Sequence, residues 1–156
     1  MFRTMRRHAQ LLSHKECDEL LQCEKRGVLA VLGDDGYPYA VPLNYLYHDG
    51  SLYFHSAVEG HKLDAITACD KASFCVTEHG VQEPGEWWFH VRSVIAFGKM
   101  SRVTDAKRME ALLRAIAEKY FPPTEDIDAD IQRNMSRVAV LELRIEHLSG
   151  KHVREK

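Results

Sequence analysis

Two hydrophobic periodicities divide this chain into predicted helices and strands. A period near 3.6 residues predicts an amphipathic helix, whereas strict alternation predicts a strand with one buried face. Ser13 followed three residues later by Glu16 is the capping-box signature of a helix start. The helices predicted in this way run from Ser13 to a stop at Gly27, from His61 to about Ile66, from Asp105 to Phe121 before Pro122-Pro123, and, more weakly, from Asp126 to Met135.

The alternating segments predict six strands that are joined mainly by hairpins. Turn signals such as Asp34-Asp35-Gly36 separate them. Pro42 interrupts the second strand and predicts an edge, bulge or bend, because proline cannot donate a hydrogen bond to a sheet ladder. Gly98 predicts a bulge or barrel corner in the fifth strand. The predicted strands are 28–32, 37–47, 51–55, 72–78, 87–103 and 138–146.

The order of these elements indicates the fold class. The strand–helix–strand alternation of a parallel sheet is missing, so an antiparallel barrel with flanking helices fits better than a doubly wound sheet. The pattern therefore predicts a mainly β fold with flanking helices (α+β), built on a six-stranded antiparallel barrel. A length of 156 residues suits a single domain over 1–156 with a real core.

The stretch from Tyr53 to Ile66 holds the strongest candidate for binding chemistry. A strand breaks at Ser56, Gly60 permits a turn that a residue with a Cβ would resist, and His61 and Lys62 begin a helix. Free N–H groups and the positive end of the helix dipole converge there, so a phosphate is the preferred ligand. The alternative is an ordinary solvated lysine at a helix start, because such short motifs often occur by chance.

Composition and charge exclude several other classes of function. A formal net charge of −2 gives no broad electrostatic case for nucleic acid, and the short basic segment 3–8 is interpreted as a solvated arm. No apolar run approaches the roughly 20 residues of a membrane span, and no signal-peptide core is present, which favours a cytoplasmic location without membrane contact. The histidines lack H-x-x-x-H or H-E-x-x-H spacing and the cysteines lack C-x-x-C, so no metal site is expected.

Four segments together resemble a known family. They are Gly-Val-Leu-Ala-Val-Leu at 27–32, Asp-Gly-Tyr-Pro-Tyr-Ala-Val-Pro-Leu-Asn-Tyr at 35–45, Asp-Gly-Ser-Leu-Tyr-Phe-His-Ser-Ala-Val-Glu-Gly-His-Lys-Leu-Asp at 49–64, and Ser-Val-Ile-Ala-Phe-Gly-Lys at 93–99. The chain resembles the pyridoxamine 5′-phosphate oxidase-like FMN-binding split-barrel proteins, and among them the branch of the nitroimidazole-resistance proteins. The His-Ser-x-x-x-Gly-x-Lys block is the most specific part of a resemblance that spans about Arg6 to Lys151.

The resemblance implies a split β-barrel homodimer with two FMN molecules at the subunit interface. By position, backbone groups of the second strand would border the isoalloxazine of FMN. The end of the third strand would lie along the ribityl-phosphate side, and the start of the following helix would hold the phosphate. The partner chain's flavin would face the long fifth strand. In that order, the implied cofactor-binding residues are Pro42, Leu43 and Asn44, then His55 and Ser56, then His61 and Lys62, and, from the fifth strand, Trp88, Arg92 and Ser93.

The function implied is that of a flavin-dependent oxidoreductase reducing a small molecule, possibly a nitro-aromatic. NAD(P)H would dock transiently, since no G-x-G-x-x-G fingerprint occurs. His55 is the candidate catalytic residue, because an unperturbed imidazole pKa near 6.5 suits proton delivery. A structural hydrogen bond is the alternative role for His55. The tail Gly-Lys-His-Val-Arg-Glu-Lys lacks the Arg-x-His segment of authentic pyridoxamine phosphate oxidase. That oxidase activity and a non-catalytic flavin- or heme-binding protein are the alternative functions.

The segment from Trp87 to Phe97 predicts a homodimer independently of the resemblance. It carries apolar side chains on both faces, and a barrel interior covers one face alone. An exposed aromatic patch of that size usually marks an interface. The alternative is that the helix predicted from Asp105 covers it.

Overall fold

The computed structural model describes residues 2–122 and 126–153. The helices are α1 (His14–Cys23), α2 (His61–Ala68), α3 (Ala106–Tyr120) and α4 (Ile127–Asn134). The strands are β1 (Arg26–Leu32), β2 (Pro38–Asn44), β3 (Leu46–His48), β4 (Ser51–Ala57), β5 (Lys71–Thr77), β6 (Val91–Arg102) and β7 (Val138–Val153). Short 3₁₀ turns lie at His8–Gln10, Asp34–Gly36 and Met135–Arg137.

The seven strands form one antiparallel sheet in the order β2-β1-β5-β6-β7-β4-β3. β2 and β3 lie at opposite edges of this sheet, yet Tyr45 alone separates them along the chain. One residue spans less than about 4 Å, so the sheet must curl until its two edges meet at Tyr45. The result is the predicted split barrel with flanking helices. It has seven strands instead of six, because the segment predicted as one strand over 37–47 forms both edges.

Tyr45 is held at this closure by contacts from the ends of α1 and α3 and from β5. Its buried hydroxyl donates to the Leu21 carbonyl at 2.8 Å, and its ring packs edge-on against Phe74. Its N–H donates to the Tyr120 hydroxyl at 2.9 Å, while Lys119 Nζ lies 4.3 Å above the ring and donates to the Glu24 carbonyl at 2.7 Å. The ends of α1 and α3 are therefore tied to the corner where the barrel closes.

Two apolar cores follow from the alternation of β4. Leu52 and Phe54 point into the barrel, where they join the larger cluster with Phe74. Tyr53 points outward into a second cluster beneath α3, which includes Leu112. The first four residues of β4, Ser51 to Phe54, are thus buried on both faces because α3 packs over β3, β4 and β7, whereas His55 and Ala57 are exposed.

Several local predictions are confirmed by the structure. The Ser13–Glu16 capping box is present, and the helices predicted from Asp105 and Asp126 both form, each capped by that aspartate accepting a backbone N–H group. The register shifts at Phe97/Gly98, where a bulge was predicted. Pro123, part of the predicted stop after α3, lies outside the described residues, and α3 itself ends at Tyr120.

Two local predictions are wrong, for packing reasons that the sequence does not display. Gly27 does not stop α1, which ends at Cys23; it lies inside β1, where a Cβ would come within 2.5 Å of the Phe74 ring. The strand predicted from Trp87 begins only at Val91. The preceding residues form a loop in which Glu86 Oε2 and His90 Nε2 lie 2.6 Å apart.

The closure predicts a measurable stability cost for Tyr120→Phe. The substitution removes the hydroxyl that accepts the Tyr45 N–H and that also contacts the Tyr45 and Lys25 carbonyls. Leaving such a group unpaired costs about 1–3 kcal/mol. We expect urea unfolding to show a loss of this size in the free energy of unfolding.

The matched control is Tyr37→Phe. Tyr37 is 74% exposed and its hydroxyl makes no hydrogen bond to another described residue. A surface change of this kind should stay within about 0.5 kcal/mol. Equal losses for the two variants would contradict the importance of the Tyr45 closure.

Candidate functional site

The barrel remains open along one side, between β2 and the second half of β4. β3 pairs with Ser51–Tyr53 of β4 and no further, so no described strand adjoins 54–57 on that side. The outer edge of β2 is likewise unpaired within the described residues. This split runs from Tyr45 toward α2. Both walls present strand edges, whose backbone N–H and C=O groups can bind a ligand.

Lys62 and His55 lie together at the α2 end of the split. Lys62 is half-buried, and none of the described carboxylates lies within ion-pair distance of it. Burial lowers the pKa of Lys62. The pKa of His55 is also lowered, first by burial and then by the positive charge of Lys62. An unpaired, partly desolvated cation of this kind is a site for an anion.

Ser56 contributes a second unsatisfied group. It is buried, and its Oγ makes no hydrogen bond to another described residue. Buried hydroxyls are normally paired, so this one has room for a ligand or a water. Strand alternation places Ser56 on the face of Phe54, and His55 on the opposite face. The two residues therefore reach the split from different sides of β4.

The start of α2 is fixed to the β1–β2 hairpin by His61. Its ring stacks on Tyr39 with centroids 4.3 Å apart, and its Nε2 lies 3.4 Å from Asp34 Oδ2. Gly60 precedes it with a φ of 130°, a conformation that favours glycine. Sequence reasoning missed Tyr39 and Asp34. Their contacts place the His61 ring on β2 with Nε2 beside Asp34, so a phosphate contact that leaves the ring in place would use Nδ1.

Pro42, Leu43 and Asn44 form the β2 wall of the split next to Tyr45. They pair with Val28, Gly27 and Arg26 of β1 on their other side. Leu43 packs against the barrel core, and Pro42 is exposed. The sequence prediction of an edge at Pro42 is confirmed, since β2 is an edge strand.

Trp88, Arg92 and Ser93 lie at the other end of the sheet. Ser93 is opposite Thr77, whereas α2 leads into Lys71 at the far end of β5. Within one chain these three residues are therefore not brought together with Lys62. Trp88 Nε1 is buried and unpaired within the described residues.

Arg92 is bound to Glu78 rather than free. Its backbone N–H donates to Glu78 Oε1 at 2.7 Å and its Nε donates to Oε2 at 2.9 Å. Burial by itself raises the pKa of Glu78, but the hydrogen bonds and charge of Arg92 outweigh burial and lower it. This pair orders the junction of β5 and β6, and it holds the Nε edge of the Arg92 guanidinium against Glu78.

A cavity of about 240 Å³ lies against the outer face of β4, beneath α3 and α4. His55 forms part of its wall, and the rest is mostly apolar. No sequence pattern predicted this cavity, because its lining comes from α3 and from α4, whose periodicity is weak. The split and this cavity meet at His55.

The described residues restrict the chemistry further. None of them form a group of three or more His, Cys, Asp or Glu side chains placed to hold a metal ion. None of the helices in the described ranges has the length and hydropathy needed to cross a lipid bilayer. The donors at the split suit a phosphate, and the strand edges suit the polar rim of a planar heterocycle.

Comparison with known proteins gives the relationship of the chain. The family model described as pyridoxamine 5′-phosphate oxidase matches residues 13–152. No curated protein sequence gives a significant match.

Solved structures with a similar fold are numerous. An FAD-binding protein from Mesorhizobium loti has 26% identity and a TM-score of 0.68, with 93% of this chain and 98% of that chain covered. An FAD and heme binding protein from Mycobacterium smegmatis has 21% identity and a TM-score of 0.74, with 92% and 72% covered. A candidate 5-nitroimidazole antibiotic resistance protein from Bacteroides thetaiotaomicron has 18% identity and a TM-score of 0.75, with 91% and 86% covered. At these identities the last two show a shared fold alone.

Proposed function

The chain belongs to the pyridoxamine 5′-phosphate oxidase family, and on that premise we propose that it is an FMN-binding oxidoreductase acting on a small organic molecule. The observation that carries the proposal is Lys62, a half-buried cation with no carboxylate partner among the described residues, at the α2 end of the split. Ser56 Oγ, buried and unpaired in the same part of the chain, supplies a further donor. Flavin-binding proteins among the structural neighbours support the same cofactor class.

The split accommodates each part of the cofactor at a different wall. Lys62 and Ser56 hold the phosphate, and the β2 edge at Pro42, Leu43 and Asn44 binds the rim of the isoalloxazine through backbone groups. Bound flavin supplies the redox chemistry, and the chain supplies binding and orientation. Electrons come from a dihydronicotinamide nucleotide that docks transiently.

His55 is the proton source in this proposal. Its lowered pKa means that, without a ligand, the imidazole is mostly neutral at pH 7. A phosphate dianion beside Lys62 offsets the lysine charge, which favours the imidazolium and raises the pKa of His55. Phosphate binding therefore increases the protonated fraction of His55, and the reduction of a nitro group consumes protons.

The cofactor proposal predicts that Lys62→Ala weakens FMN binding about ten- to a hundredfold. A hydrogen bond to a charged group contributes about 1.5–3 kcal/mol, and each 1.4 kcal/mol is tenfold. Riboflavin lacks the phosphate, so its affinity should change little. Fluorescence titration of flavin-free protein with both ligands measures the difference.

Lys71→Ala is the matched control, because Lys71 is exposed at the same end of the barrel. Equal losses of FMN and riboflavin on Lys62→Ala would place the phosphate elsewhere. Extraction of the native chromophore adds an independent result. FAD in the extract would show that the cofactor is the dinucleotide and not FMN. A Soret band would favour the heme-binding alternative.

We further propose that two copies of the chain complete the site. The outer face of β1, β5 and β6 is not covered by α3, which packs on the other side of the barrel. Across this face Val28 pairs with Cys75 and Cys75 with Ile95, and Val28 and Ile95 are exposed at 40% and 38%. Trp88, Arg92 and Ser93 lie at the opposite end of the sheet from Lys62, and in this proposal they contribute to the partner's flavin across the interface.

This arrangement predicts that the flavin-loaded protein sediments as a dimer and that Ile95→Arg yields monomers. A buried arginine without a partner at the centre of an interface costs several kcal/mol. Because the site is shared, the variant should also lose flavin. Tyr37→Arg changes an exposed aromatic residue at the hairpin tip and should stay dimeric. Parent protein that sediments as a monomer with flavin bound would overturn both the interface and the shared site.

The role of His55 predicts a ten- to a thousandfold slower reduction of a nitroimidazole by His55→Gln, the range of general-acid catalysis. The variant must first be shown to retain flavin, and anaerobic single-turnover reoxidation is timed. The rate of the parent should fall as pH rises through the pKa of His55, since the imidazole must carry a proton, and the variant should lose that dependence.

His48→Gln serves as the control, because His48 is exposed in the β3–β4 turn beside Asp49. An unchanged rate for His55→Gln would leave His55 as a structural residue. A flavin-loaded parent that reduces no nitro compound would exclude nitroreduction.

A further inference from the structure

The cavity beneath α3 and α4 meets the split at His55, and the proposed cofactor site leaves the rest of this cavity unassigned. Its volume is about 240 Å³. Protein interiors rarely leave voids larger than a water molecule, whereas an apolar cavity of about 150 Å³ holds one benzene ring. The volume therefore suits one substituted ring, and it is below the roughly 300 Å³ at which drug-sized pockets begin.

The lining divides into an apolar body and two polar ends. The body consists of side chains from α3, α4 and the start of β7: Leu113, Ile116, Ala117, Ile131, Met135 and Val138. His55 is one polar end, and Asp130 with Asn134 is the other. Phe121 lines the cavity yet is 39% exposed, so the cavity opens to solvent at the end of α3.

The Asp130 end is arranged to accept a hydrogen bond from a ligand. Asn134 Nδ2 donates to Asp130 Oδ1 at 2.8 Å, which orients the carboxylate. Oδ2 of Asp130 makes no hydrogen bond or ion pair with another described residue. A half-buried carboxylate oxygen in an apolar pocket selects a ligand that brings an N–H or amino group.

We propose that this cavity binds the small organic acceptor, a single-ring aromatic molecule whose amino or ring N–H group faces Asp130 and whose other end reaches His55. The assignment rests on the proposed function, because His55 joins the cavity to the split. It narrows the acceptor to a class by size and by the position of one donor group. Molecules with two fused rings are too large, and rings without a donor bind less tightly.

Three probes test this class on the protein as purified. 4-Nitroaniline carries one ring and an amino group, nitrobenzene lacks the donor, and 4-nitro-1-naphthylamine adds a fused ring. Calorimetric titration should show 4-nitroaniline binding about ten- to a hundredfold more tightly than nitrobenzene, the usual effect of a hydrogen bond to a charged group. The naphthylamine should not bind.

Variants then locate the binding. Asp130→Asn should remove the preference for 4-nitroaniline, whereas Asp128→Asn, on the same helix but exposed and paired with Arg114 at 2.6 Å, should retain it. Ala117→Met fills the cavity and should abolish binding of both single-ring probes. Flavin content, read from the visible spectrum, should equal that of the parent in all three variants.

Each other result overturns the proposal. Binding that is unaffected by Asp130→Asn and Ala117→Met lies elsewhere, and absence of binding to the parent leaves the cavity without this ligand class. Loss of flavin in a folded Ala117→Met variant would make the cavity part of the cofactor site. If Ala117→Met does not fold, Asp130→Asn and the size series still decide. If the parent protein is colourless but binds 4-nitroaniline in an Asp130-dependent manner, the proposed flavoprotein function is wrong and the ligand proposed for the cavity stands. The two proposals can therefore fail separately.

Discussion

The closure of the sheet at Tyr45 is the constraint on which the rest of the structure depends. Two strands at opposite edges of one sheet are joined by a single residue, so the sheet can exist only as a curled barrel. The backbone N–H of Tyr45 is paired with Tyr120, its hydroxyl with Leu21, and its ring packs against Phe74. The polar groups at this corner must all be hydrogen-bonded, because a buried polar group without a partner costs about 1–3 kcal/mol of stability.

The same closure produces the split. Since β3 is only three residues long, the edge of β4 beyond Tyr53 is left facing the edge of β2. The polar backbone there must find partners, and Ser56 at the end of β4 and Lys62 at the start of α2 also lack partners among the described residues. An ordinary fold pairs such groups internally. Leaving both groups without partners lowers the stability of the chain, and a bound anion would restore that stability by pairing with them.

The two faces of β4 connect the proposed cofactor to the proposed acceptor. Ser56 lies on the side of Phe54, and His55 lies on the side of α3 and α4. One short strand therefore touches the split and the outer cavity at once. In the proposed mechanism two features let His55 exchange a proton. The charge beside Lys62 shifts the pKa of His55, and the other side of the ring borders the proposed acceptor.

The sequence by itself determined the elements that depend on local chemistry. The capping box at Ser13, the helix starts at Asp105 and Asp126, the bulge or corner at Gly98 and the antiparallel pairing of the strands were predicted because each follows from short-range hydrogen bonding or from alternation. The phosphate-type motif around Lys62 was found in the same way, since its residues are neighbours along the chain.

Only the tertiary structure decided the features made by distant contacts. Gly27 was read as a helix stop, but its role is to admit the Phe74 ring, 47 residues further along the chain. Tyr53 is buried because α3 covers it, and His61 stacks on Tyr39 because the hairpin bends over α2. The cavity at His55 combines α3, α4 and β7, and no periodicity records which faces will meet. Local propensity fixes an element, but which surfaces meet is settled by packing across the whole chain.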